Sequence, residues 1–134
     1  MTRTTIATKA TKSDFQSVFE TLRGVLERHS KNLVVAADKP GDFQVASPTL
    51  KDRAGRPLFI GAVQIRKNYV SYHFIPVYAA PALLKTVSPE LRKRMQGKSC
   101  FNFTTVDKAQ VKELNELTRA GLEAMKKVNL PWLT

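Results

Sequence analysis

Cys100, His73 and Asn102 are the residues whose chemistry, taken together, could amount to a reaction. A thiol nucleophile needs a base, and the base needs a group to orient it. The only cysteine, one of the two histidines and an amide would supply one of each. Lys98 and the run Arg92-Lys93-Arg94 come just before Cys100, and nearby cations lower a thiol pKa. A plainer reading stands beside this one. Cysteine is among the most buried residue types and packs as a small hydrophobe. Cations in the last turns of a helix interact well with its exposed carbonyls. On that reading "PELRKRMQGKSCFNF" is a helix end running into a strand. On the other, Arg92, Lys93, Arg94 and Lys98 form an anion-binding surface, joined by Lys85 and by Lys51, Arg53 and Arg56.

Other chemistries lack their residues. Two histidines, one cysteine and scattered acids show no metal-ligand spacing, so neither a metal nor a cofactor is expected. "RAGRPLFIG" has two glycines without the spacing of a phosphate loop, and no serine-nucleophile elbow is present.

The chain has 134 residues, with 22 Lys and Arg against 11 Asp and Glu, a net charge of +11. That excess favours a polyanionic partner, a nucleic acid or an acidic protein, over a role in holding cations. No apolar run is long enough to span a membrane, and a membrane partner is not expected. One cysteine suits a reducing cytosol. Residues 1–12, acid-free and Thr-rich, read as a disordered basic tail, and 13–134 as a single domain.

The elements follow from periodicity. Ser13 to Gln16 reads as a capping box, and Phe15, Val18, Phe19, Leu22, Val25 and Leu26 form one helix face. "LVVAA" and "FQVAS" flank Pro40-Gly41, a type II turn pair, and "SPTLKDRAGRP" reads as a polar loop. A hairpin turning at Lys67-Asn68 places Phe59, Val63, Ile65, Val70, Tyr72 and Phe74 on a buried face. It places Ile60, Gln64, Arg66, Tyr69, Ser71 and His73 on the other. Pro81 opens a short helical turn. Ser88-Pro89-Glu90 starts a helix expected to reach Gln96, with Leu91 and Met95 inward and Gly97 after its end. "SCFNFTTV" is a strand with Phe101 and Phe103 on one face and Cys100 and Asn102 on the other. Asp107 to Gln110 is a second capping box. It opens a long helix in which Gly121 suits a close approach to the sheet. "VNLPWLT" is expected to form a strap. This order predicts an α+β fold: an antiparallel sheet with the N- and C-terminal helices packed on one face.

"YVSYHFIPVY", "LLKTVSPELRKRMQGKSCFNF" and "LNELTRAGLEAM" resemble a subgroup of small bacterial proteins of the YdhG-like domain of unknown function, over roughly residues 57 to 125. That family is similar in fold to frataxin. The resemblance implies the two-helix, one-sheet architecture and no settled activity; iron handling is known in that fold group. Asp14, Glu20 and Glu27 on the first helix are too dispersed to form the clustered oxygen ligands iron needs.

The expected function is therefore that of a small, soluble, non-enzymatic binding domain with an anionic partner. The alternatives are a small-molecule or thiol-dependent site on the exposed sheet face, and iron handling. Ligand-binding candidates on that face are Gln64, Arg66, Tyr69, Ser71, His73, Cys100 and Asn102. Neither composition nor periodicity specifies the oligomeric state.

Overall fold

In the computed structural model, which describes residues 12–127, the apolar stripe of residues 15–26 lies on helix α1, Lys12–Arg28. Phe15, Val18, Phe19, Leu22, Val25 and Leu26 are all buried. The helix runs through Ser13, whose side chain, and with it the expected capping box, lies outside the described residues; Gln16 donates to Glu20, 2.8 Å away. Lys12 likewise belongs to the helix; the rest of the expected tail and the "VNLPWLT" strap lie outside the described residues.

Six strands follow, interrupted by short helices. They are β1 (Val34–Lys39), β2 (Asp42–Lys51), β3 (Pro57–Ile65), β4 (Val70–Phe74), β5 (Met95–Gln96) and β6 (Cys100–Phe103). They form one antiparallel sheet in the order β1-β2-β3-β4-β6-β5. Between β4 and β5 lie helix α2 (Pro76–Ala79), a 3₁₀ segment (Pro81–Thr86) and helix α3 (Pro89–Arg92). Helix α4, Lys108–Met125, closes the described chain.

The register explains the core. Val63 lies opposite Tyr72, Gly61 opposite Phe74, and Tyr72 and Val70 opposite Phe101 and Phe103. These residues share one face, and α1 and α4 cover it. Leu26 of α1 reaches Gly61, and Thr118 of α4 bonds the Tyr72 hydroxyl at 2.6 Å. The fold is thus α+β with both long helices on one side of the sheet. Asp107 caps α4 with both halves of the capping box formed. A methyl group on Gly121 would stand 2.5 Å from Phe74 Cε2, which is the expected close approach. Leu122, the next residue, is partly buried against the core.

Three expectations need correction. The first concerns β3. Val45 pairs with Gly61 but Ala46 pairs with Phe59, which leaves Ile60 as an extra residue, a β-bulge. The bulge exchanges the two faces: Ile60 enters the core at 2% exposure, and Phe59 packs in a tilted arrangement against His73 with ring centroids 4.9 Å apart. The second concerns the polar loop 47–57, most of which is strand. β2 runs on to Lys51, which pairs with Pro57, and only Asp52 to Arg56 turn. The Asp52 carboxylate accepts from the Ala54 and Arg56 amides, and Gly55 takes φ 82°. The third concerns the helix expected to reach Gln96, which ends at Arg92. Met95-Gln96 pair instead with Phe101 and Cys100, because the unpaired edge of β6 offers the backbone a ladder, and Gly97 at φ 79° allows the reversal. Leu91 is buried and Met95 packs against the core, as expected.

Candidate anion-binding notch and outer sheet face

Alternation puts the side chains between the core positions on the outer face. Gln64 lies opposite Ser71, Ser71 opposite Asn102, and His73 opposite Cys100. Arg66 reaches along β3 to donate to Gln64 Oε1 at 2.8 Å. Tyr69, two residues before Ser71, lines the same concavity as Asn102. The seven ligand candidates therefore share one face, although they do not converge on one point.

The face divides into three zones. Toward β2, Asp42 Oδ1 accepts from Gln44 and Gln64, each at 3.0 Å. Burial raises the Asp42 pKa, but these two bonds and the charges of Lys39 and Arg66 outweigh it and leave the carboxyl below its usual range. Asp42 and Gln44 were overlooked as outer-face residues; their alternation with Phe43 and Val45 in "DFQV" is the signal that would have found them.

In the centre, His73 Nε2 is 2.9 Å from Ser99 Oγ. Burial, followed by the charge of Arg66, lowers the His73 pKa, so the ring is neutral near pH 7. Burial pushes the Cys100 thiol up, against weaker opposing effects of a Ser71 hydrogen bond and Arg66. This is the reverse of what a nucleophile needs.

The third zone is a notch of about 510 Å³ beside the turn before β4, β5 and the end of β6, lined by Asn68, Tyr69, Lys93, Arg94, Gln96, Asn102 and Thr104. Two cations, an aromatic ring and several amide and hydroxyl groups line it, with no carboxylate among them. The short β5 ladder builds it: the Asn102 amide donates to the Arg94 carbonyl at 2.7 Å, which brings that segment beside β6. Helix α3 fixes the approach. Ser88 caps it, accepting from the Leu91 amide, and Ser88 in turn donates through its amide and hydroxyl to the Glu113 carboxylate of α4, at 3.0 and 2.6 Å.

The four expected anion-binding cations do not form one patch. Lys93 and Arg94 line the notch. Arg92 turns away and donates to the Leu84 carbonyl at 3.2 Å. Lys98, in the β5–β6 turn, stands over the Tyr78 ring at 5.9 Å. The Asp52–Arg56 turn lies at the start of β3, the far end from the notch, and Arg56 there pairs with Asp52.

A larger concavity, about 720 Å³, lies between α1 and α4 and is lined in part by Arg28, Lys108, Lys112 and Arg119. Asp107 and Glu116 line it too, and Arg119 is bound to Glu116. Its field is mixed, and the notch is the better anion site despite its smaller volume. Among the described residues no three His, Cys, Asp or Glu side chains are grouped to hold a metal, and no helix is long and apolar enough to cross a membrane. Comparison with protein-family models, curated proteins and solved structures gives no match.

Proposed function

We propose that this chain is a small, soluble, cytoplasmic binding domain of the YdhG-like, frataxin-like type that carries out no catalysis and contacts an anionic partner, a nucleic acid or an acidic protein, through the notch. The observation that carries this reading is the meeting of Lys93 and Arg94 with Tyr69 and Asn102 in a concavity without a carboxylate. In a chain of net charge +11, such a place receives an anion at little desolvation cost to any acid.

The thiol-dependent reading has His73 and Cys100 opposite each other in its favour. It has the raised thiol pKa and the His73–Ser99 contact against it. Iron handling has no grouped ligands among the described residues to support it.

The test is binding of a labelled heparin fragment as salt is varied. Affinity should fall steeply with salt, because contacts to a polyanion release counterions. Replacing Lys93 and Arg94 together by Gln should weaken binding and reduce the slope of log affinity against log salt by roughly 1–2 for two lost contacts. Arg92→Gln should change it little. No binding at low salt, or an unchanged slope in the double variant, would remove the proposal.

A further inference from the structure

The geometry points to a single-stranded nucleic acid as the anionic partner, laid along β4 and β6 on the outer face with bases stacked at two places, on Phe59 and His73 at one end and on Tyr69 at the other. This rests on the anion-binding reading above and gives the partner its chemical class.

Three observations carry it. First, the bulge at Ile60 turns an aromatic ring outward. Phe59 would have been buried by regular alternation, yet it stands half-buried on the outer face against His73. Bases stack on such outward rings whatever their sequence. Second, the rings are spaced. Tyr69, just before β4, and His73 within it lie four residues apart, about 13 Å at 3.3 Å per residue. Between them the outward residue of β4 is the small Ser71, opposite Gln64 and Asn102. That span is long enough for more than one base. Third, cations flank the path at both ends. Arg66, Lys93 and Arg94 lie at the Tyr69 end. Lys98 lies at the other end, next to Ser99, whose hydroxyl meets His73. Asp42, an acid on the same face, is held by two glutamines.

A duplex cannot use this surface in the same way, because its bases are already stacked on one another. An acidic protein would use the cations but not the rings. The partner class is therefore decided by whether bases contribute.

The experiment measures binding of the full chain to four probes of equal length at one salt concentration: a single-stranded oligonucleotide carrying 2-aminopurine, the same strand with abasic sites, a duplex, and poly-glutamate. The single strand should bind most tightly, with 2-aminopurine emission quenched on stacking. Phe59→Leu and Tyr69→Leu keep apolar bulk and remove the ring. Each should weaken single-strand binding by about 5- to 100-fold and leave abasic-strand binding and the melting temperature nearly unchanged. Equal affinity for the abasic strand, for the duplex or for poly-glutamate would overturn the inference while leaving the anion site standing. Failure of all four probes and of heparin would remove both.

Discussion

Cys100 shows how little a suggestive residue type means before its surroundings are known. Its position opposite His73 could be read from strand alternation, and the structure has that pair. Its reactivity could not be read, because it depends on burial, which a sequence gives only as a tendency. Burial raises the thiol pKa, so alkylation by iodoacetamide at pH 7 should be slower than that of a free cysteine and should accelerate only in alkaline solution. Fast, stoichiometric labelling at neutral pH would restore the thiol-dependent alternative. Phe59 gives the opposite case. Nothing in "PLFIG" says which of two adjacent apolar residues faces the core, since a one-residue slip exchanges the faces of a strand. The bulge made that choice and turned a presumed core ring into a surface one.

At the level of elements, the strong local signals survived and the weak ones yielded to pairing. The Asp107 box, the Ser88 cap, the Pro40-Gly41 turn and the amphipathic faces of α1 and α4 formed as their residue chemistry implies. The end of α3 did not. "LRKRMQ" reads as continued helix locally, and only the open edge of β6, invisible to local patterning, makes Met95-Gln96 a strand. That two-residue strand matters most for the proposed function, because it carries Lys93 and Arg94 to the notch. Gly121 offers a test of the helix–sheet contact. Propensity alone says Gly121→Ala in α4 should stabilise by about 1 kcal/mol. The added methyl would meet Phe74 at 2.5 Å and Pro76 at 2.9 Å, so overpacking of about 1–3 kcal/mol should win and lower stability in chemical denaturation. An Ala variant more stable than the parent would contradict the packing of α4 on β4.

Across the molecule, one asymmetry organises the rest. Both long helices spend their apolar faces on the same side of the sheet, and the other side keeps polar groups, two outward aromatic positions and cations at both ends. The net charge favours a polyanion from composition alone but not a place for the proposed partner to dock, since cations are spread along the whole chain. Fold class and the outward residues of β4 and β6 were legible because period-two alternation specifies them, whereas the bulge in β3 exchanged Phe59 and Ile60. The notch was not, because it joins residues of β5 and β6 with the turn before β4 and the segments flanking β5 and β6, and β5 could not be foreseen. The most direct measurement is an amide chemical-shift titration of the full chain with a short single-stranded oligonucleotide at low salt. The largest changes should fall on Tyr69, Lys93, Arg94 and Asn102. Changes confined to the groove around Arg28, Lys108, Lys112 and Arg119, or none at all, would contradict the assignment of the notch and its sheet face as the binding surface.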